Sequence, residues 1–368
     1  MSDAPEQRHL FHVFSTFAVG GPQVRFAHIA ERIGDRARHS VVSISGNFAA
    51  REKLPAGLAA DFIEPPVNKK LSALNLPTIR RVLRQARPDL LVTYNWGAVD
   101  WALANAVAPI APHVHFEDGF GPEEAERQLR RRVLYRRLAL RRTRQLIVPS
   151  LTLQRIATEI WRQPQNRVHY VPNGIDVDRF TGGGDASLLP AAEGPVIGTV
   201  AALRPEKNLG RLLRAFAVVH ASLPLSRLAI VGDGRVRGEL ERQAAGMGLG
   251  DAVIFTGHIA EPARVVPLFD IFALSSDTEQ MPLSVLEAMA AAKPVASVDV
   301  GDVRSMVADA NQRFVVPRDD EAAFAQAMLV LAGDAALRAS LGAANREAAR
   351  TRFPPDRMFE TYERLLLG

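Results

Sequence analysis

Residues 275–298 read SSDTEQMPLSVLEAMAAAKPVASV, from Ser275 to Val298. A polar loop meets Pro282, an apolar helical pattern follows, and Lys-Pro leads into a short Val-rich run. That is loop, helix and strand in the rhythm of a parallel α/β sheet. Pro282 suits the first helical turn, where its missing N–H has no partner to lose. Two carboxylates flank this helix start, Glu279 in the loop and Glu287 in about the second turn. At about 1.5 Å of rise per residue they fall on the order of 10 Å apart, wide for the roughly 5 to 9.5 Å of paired glycosidase carboxylates. The pattern fits two contacts on one elongated ligand, with the first-turn N–H groups of Met281, Leu283 and Ser284 offering an anion site between them. The plain alternative is a pair of ordinary helix-start acids.

The same rhythm runs outward in both directions. In the first half HLFHVFS precedes VRFAHIAERI, DLLVTYN precedes VDWALANAVA, and RQLIVPS precedes LTLQRIATEI. The second half restarts with GPVIGTVAAL, a helix from about Asn208 to His220, RLAIVGDG, a helix near Arg237 to Ala245, VIFTGH and IFALSS. A chain of 368 residues suits two such α/β domains. The Gly- and Pro-rich VPNGIDVDRFTGGGDASLLPAAEGP reads as the linker, with the switch near Phe180, giving domains 1–178 and 179–354. The tail 355–368, PPDRMFETYERLLLG, is an amphipathic helix that caps its own domain or crosses back to the first.

The chain has no cysteine, which excludes disulfides, thiolate metal sites and cysteine nucleophiles. No apolar run resembles a secretory signal or approaches the roughly 20 residues of a spanning helix, so a cytoplasmic protein is expected. The formal charge is +5, and much of the excess lies in RQLRRRVLYRRLALRRTRQ, Arg127 to Gln145. Leu129, Val133, Leu134, Leu138 and Leu140 interleave these arginines, which reads as a helix packed through its leucines with a basic outer face. Few aromatics accompany it for base stacking, so no nucleic acid is expected. An anionic membrane surface meeting Arg127 to Arg144 is the expected partner, placing the protein peripherally on the inner face of the membrane.

Other motifs gather at predicted strand ends. LRPEKN opens a helix with Arg204 and Lys207, suited to an anion. VGDGRVRGE carries Gly232, Gly234 and Gly238, one residue longer than the dinucleotide fingerprint, and the next strand lacks the ribose-binding acid, which disfavours a nicotinamide cofactor. AVGGPQVRF is a glycine turn in which Gly20 and Gly21 permit close backbone approach to a ligand. HVHFEDGFGPEE ends a strand with His115, Glu117 and Asp118, where ligands of open α/β sheets bind. A metal on His113, His115 and Asp118 is disfavoured, because adjacent strand positions point to opposite faces.

Together VPNGIDVDRF, VAALRPEKN, LAIVGDG, VIFTGH and EQMPLSVLEAMAAAKPV resemble the family-four retaining glycosyltransferases, glycosyltransferase group 1, in order and spacing. That resemblance implies the GT-B fold, two Rossmann-like domains facing across a cleft, with the acceptor on the first and a nucleotide sugar on the second. It implies that Glu287 holds the ribose hydroxyls and Glu279 the hydroxyls of the transferred sugar. The N–H groups of Met281 to Ser284 would hold the diphosphate, with Gln280 and Pro282 in the same loop and Lys207 neutralising its charge. Gly21, Gly232, Gly234 and His258 complete the expected donor set. Two departures stand out. AAL replaces the usual GRL, so the diphosphate arginine falls on Ala202 with Arg204 two residues on, and Gln280 replaces a glycine. The acceptor side would comprise His115, Glu117 and Asp118, with Asp118, Glu279 and Lys207 as catalytic residues.

The implied reaction is metal-independent, retaining transfer of a hexosyl group from a UDP-, GDP- or ADP-sugar, with no cofactor, to a glycan or lipid-linked acceptor in polysaccharide or envelope glycan synthesis. The alternatives are a sugar-nucleotide epimerase of the same fold and a non-catalytic protein binding nucleotide sugar, lipid or RNA.

Overall fold

The Val- and Leu-rich runs pair as parallel strands in two separate sheets. The computed structural model describes residues 7–67, 72–124 and 127–368, and it divides into two compact units. One runs to Pro172 and takes back Asp356–Gly368; the other is Asn173–Pro355.

The first unit holds strands β1 (Arg8–Phe14), β2 (Ala37–Ser43), β3 (Ala60–Ile63), β4 (Leu90–Tyr94), β5 (His113–Phe116), β6 (Gln145–Val148) and β7 (Val168–Tyr170). Their order is β3-β2-β1-β4-β5-β6-β7. Helices α1 (Gly21–Ile33), α2 (Ser72–Ala86), α3 (Val99–Val107), α4 (Arg130–Leu140) and α5 (Leu151–Arg155) connect them. Strands such as β1 and β4 are buried almost throughout, which is why they read as continuous apolar runs rather than alternating ones.

In the second unit β8 (Val196–Val200), α6 (Leu209–Ser222), β9 (Arg227–Val231), α7 (Arg237–Gly246), β10 (Val253–Gly257), β11 (Ile271–Leu274), α8 (Leu283–Ala290), β12 (Val295–Val298), α9 (Val303–Met306) and β13 (Val315–Val316) follow in turn. The strand order is β10-β9-β8-β11-β12-β13. The chain then continues through α10 (Glu321–Gly333), α11 (Ala335–Arg352) and α12 (Pro355–Leu367). Asp320 and Asp334 cap α10 and α11 by accepting from the N–H groups of Ala323 and Leu337 at 2.9 and 2.8 Å. Each sheet changes direction once, between β1 and β4 and between β8 and β11, the positions where loops part and leave room for ligands.

Two expectations meet a different arrangement. The Gly- and Pro-rich stretch after Pro172 is packed rather than free: Val177, Phe180 and Leu189 are buried in the core of the second unit, and Asp185 pairs with Arg264 at 2.5 Å. The boundary accordingly falls at Asn173, whose side chain donates to the Met281 carbonyl at 3.1 Å. Helix α12 buries Met358, Tyr362, Leu365 and Leu366 in the core of the first unit, beside Phe26 and Phe116. Among the described residues no single helix is long and apolar enough to cross a membrane.

Candidate active site

In the second unit the loop before α8 is sewn to the loop before α6. Asn208 adopts a left-handed conformation (φ 42°, ψ 48°) and caps α6 through the Arg211 N–H at 3.2 Å. Its side-chain amide also donates to both oxygens of Asp277, at 3.0 and 3.1 Å. Arg211 reaches the same carboxylate at 2.9 Å and the Ser275 carbonyl at 2.9 Å. The Asp277 N–H donates to the Glu206 carbonyl at 2.9 Å, and the Ser275 hydroxyl to the Lys207 carbonyl at 3.0 Å. This mesh brings the Lys207 ammonium to within 2.6 Å of Glu279 Oε1. The two residues, 72 positions apart in sequence, form a partly buried charge-assisted contact.

Helix α8 starts one residue later than its sequence suggested. Pro282 is the N-cap, in an extended conformation (φ −68°, ψ 122°), and Leu283 is the first helical residue. Cap residues carry extended dihedrals, so proline's fixed φ suits this position as well as the first turn. No side chain caps the helix, so the N–H groups of Leu283 and Ser284 point out of its positive end without an intrahelical partner. Met281 is buried and serves mainly to anchor the loop, its sulfur accepting from the Asn173 N–H at 3.1 Å. Glu287 lies one turn along, half-buried. Burial pushes its carboxyl up to about 7, a rise that the Arg179 guanidinium opposes.

The glycine turn after β9 has a structural explanation of its own. Gly232 has φ +139°, and a β-carbon there would stand 1.9 Å from the Ala201 carbonyl oxygen; one at Gly234 would stand 2.3 Å from that of Leu203. The chain's own backbone fills the space that a side chain would need, and the Gly232 N–H bonds the Gly257 carbonyl at 2.8 Å. The chain does not stay extended from Ala202 to Arg204, as Arg204 would need to take the place of an arginine at Ala202: the Arg204 N–H donates to the Ala202 carbonyl at 2.8 Å, a tight turn about buried Leu203. Arg204 is 63% exposed, with Glu206 3.9 Å away. His258 is exposed on the loop after β10, and Gly21 is exposed at the start of α1 in the first unit.

Sequence reading missed Gly301 and Asp302. A β-carbon at Gly301 (φ +56°) would sit 2.5 Å from the Gln280 carbonyl oxygen and 2.7 Å from that of Glu279, and the Asp302 N–H donates to the Gln280 carbonyl at 2.8 Å. The loop bearing Glu279 is pinned from behind by a segment 22 residues downstream. The Gly-Asp pair after a Val-rich run was its one sequence signal.

The acidic set of the first unit divides sharply. Asp118 sits at the surface edge, gripped by Arg25 through both oxygens at 2.7 and 2.9 Å, and its N–H donates to Asn95 Oδ1 at 2.6 Å. Phe116 and Tyr362 flank the Arg25 guanidinium at 5.4 and 5.8 Å. Both oxygens of this carboxylate are thus engaged by one cation. Contrary to expectation, His115 and Glu117 do not face outward, since both side chains are fully buried. His115 Nδ1 bonds the Thr93 hydroxyl at 2.6 Å, and Glu117 lies 3.4 Å from the guanidinium of Arg136. Arg136 is itself fully buried, bridged to Glu124 at 3.1 to 3.2 Å and ringed by Trp96, Phe120 and Trp161 at 4.8, 5.3 and 4.9 Å.

The basic helix keeps part of its expected orientation, with Leu140 buried in the core and Val133 packed against it. On α4 Arg136 points inward as well, while Leu134 and Leu138 are 58% and 46% exposed among the outer arginines. His113 is held by Thr93 and Thr143 at 2.8 and 2.9 Å, and among the described residues no three His, Asp or Glu side chains gather as a metal site requires.

Two parallel-sheet α/β units in tandem give the architecture of the GT-B fold. The fold likeness is direct. An Anabaena protein, HepE, solved with UDP and glucose superposes with a TM-score of 0.80 over 98% of this chain and 99% of its own, at 21% identity. The family model for group 1 glycosyl transferases matches residues 194–334, and that for glycosyltransferase family 4 matches residues 19–179. The chain belongs to the group 1, family 4 glycosyltransferases. A 2-deoxystreptamine N-acetyl-D-glucosaminyltransferase of Streptomyces fradiae is 29% identical over 86% of this chain and 83% of its own length. An exopolysaccharide phosphotransferase of Streptomyces coelicolor is 29% identical over 84% of this chain, which spans only 32% of that relative.

Proposed function

We propose that the protein transfers a hexosyl group, with retention and without a metal, from a nucleoside diphosphate sugar to a glycan or lipid-linked acceptor. The observation that carries this reading is the Lys207–Glu279 pair held at 2.6 Å by the Asn208–Asp277–Arg211 mesh, in the loop leading to the uncapped start of α8. Charge grows on the leaving diphosphate as the glycosidic bond breaks, and fixed donors there lower the barrier. Lys207 and the N–H groups of Leu283 and Ser284 are such donors, supported in this reading by Arg204. Glu279 then accepts from hydroxyls of the transferred sugar and Glu287 from the ribose. With Asp118 committed to Arg25, retention is assigned to attack on the face the diphosphate leaves, without a protein nucleophile.

The acceptor side belongs to the first unit, and the exposed face of α4, with Leu134 and Leu138 among arginines, suits a protein that works against an anionic bilayer. A thermal-shift panel of UDP, GDP and ADP with their sugars, run without metal on wild type and Glu287→Ala, tests the donor site. Stabilisation by one nucleotide that the variant loses is the expected outcome, and no shift with any of them would refute the reading. Proton NMR of the product's anomeric centre then tests retention.

A further inference from the structure

One cavity of the first unit plays no part in the donor reading. It has a volume of about 610 Å³ and opens at the carboxyl ends of β1, β2 and β4, beside Ser15, Ser45 and Trp96. The sheet order puts β1 between β2 and β4, so the cavity lies at the point where the chain changes direction across the sheet, the usual ligand position in open parallel sheets. Its size falls within the range of small-molecule sites. The loops after β1 and β4 nearly touch: a β-carbon on Gly97 would stand 2.3 Å from the β-carbon of Ser15. Glycine keeps that edge open.

The other wall comes from α3 and α4. Tyr135 donates to Asp100 Oδ1 at 2.5 Å, which leaves Oδ2 to accept from a ligand hydroxyl. Arg132 bridges Glu123 and Glu124 at 2.5 and 3.2 Å and stacks 4.8 Å over Trp96, so its charge is answered within the protein. Arg131, the next cation of the lining, is exposed, and no carboxylate among the described residues pairs with it. The cavity thus offers hydroxyl acceptors, an apolar floor that includes buried Trp101, and one uncompensated guanidinium. A neutral sugar would satisfy the first two features and leave the guanidinium idle. A sugar carrying phosphate engages all three, the planar fork matching phosphate oxygens in pairs.

We propose that this cavity binds a phosphate-bearing sugar, its hydroxyls on Asp100 and its phosphate on Arg131. Its assignment as the acceptor rests on the transferase reading; binding itself does not. The phosphate has two sources, a free sugar phosphate or the link from a sugar to a lipid carrier. The second is consistent with the position of Arg131 one turn before Leu134 on α4.

Calorimetric titration of the full chain with glucose 6-phosphate, glucose and inorganic phosphate tests the site. A parallel arm uses undecaprenyl diphosphate-linked glucose in phosphatidylcholine vesicles. At least one sugar phosphate should bind tenfold or more tighter than glucose and inorganic phosphate, and whichever of the two does so identifies the source. Arg131→Gln should erase that preference, and Asp100→Asn should weaken the phosphorylated and plain sugars alike. Equal binding of plain and phosphorylated sugar, an Arg131→Gln protein that keeps the preference, or no binding by either phosphate probe would overturn the proposal. Arg131-dependent binding in a protein that fails the nucleotide panel would sink the donor reading and leave this one standing.

Discussion

Glu287 sits in the second turn of α8, where burial lifts its carboxyl to about 7 against the pull of Arg179. A folded pKa above the unfolded value means that this group's contribution is fully present below about pH 4.5 and is lost as pH rises through about 7. In the ligand-free protein Glu287→Gln should therefore be more stable than wild type at pH 8, by on the order of 1–3 kcal/mol, with the difference gone near pH 4.5; urea melts at the two pH values read this. Binding runs the other way, because hydroxyl donors need the ionised acceptor. Wild-type affinity for the preferred nucleoside diphosphate should weaken by up to about tenfold per unit below pH 7, beyond any decline seen in Glu287→Gln. Titrations from pH 5.5 to 8 on both proteins check it. Glu279, Lys207 and Glu287 were legible in the sequence because their spacing is local to recognisable loops. Asn208, Arg211, Asp277 and Gly301 were not, because what they do depends on partners tens of residues away.

At the scale of elements, α4 shows why periodicity misleads in a charged helix. Its leucines suggested the buried face, and Leu140 is buried, yet Arg136 is buried with it while Leu134 is exposed. The cage that makes Arg136 acceptable inside comes from Trp96, Phe120 and Trp161, and its counter-charges from Glu117 and Glu124, all outside the helix. Arg136→Ala should cost about 3–5 kcal/mol in denaturant unfolding, because Glu117 is left buried without its guanidinium and Glu124 keeps only Arg132. Arg136→Lys should recover only part of this, having no fork. On the outer face, Leu134→Glu should abolish or sharply reduce cosedimentation with vesicles rich in anionic lipid while leaving the melting temperature within about a degree, since the position is exposed. Binding to such vesicles that ignores both this substitution and salt would refute the membrane role of α4.

For the whole molecule, the two units should respond to acid with opposite sign. His9, His12, His39 and His113 are buried in the first unit and burial lowers each, His39 to about 4. The unfolded chain takes up these protons first, so stability present above about pH 6.5 is lost as pH falls towards 4, at about 1.4 kcal/mol per unit for each histidine fully in that window. Calorimetry from pH 7 to 5 should show a transition that separates and moves to lower temperature. Hydrogen exchange should assign it to residues before 173 and after 355. A single transition with no acid shift would contradict this. The parallel βα rhythm and two-unit division were readable from apolar run lengths, since strands covered on both faces need continuous Val and Leu. The fate of the Gly- and Pro-rich stretch was not, because its anchors Val177, Phe180 and Leu189 are sparse among turn residues.

The return of α12 to the first unit also sets an order of assembly during synthesis. Tyr362, Leu365 and Leu366 cover the core around Phe26 and Phe116, but they leave the ribosome after all of residues 173–355. The first unit emerges early and must wait, its aromatic face uncovered, while the second unit is made and folds. A nascent chain stalled before residue 356 therefore exposes an aromatic surface that the released protein has hidden.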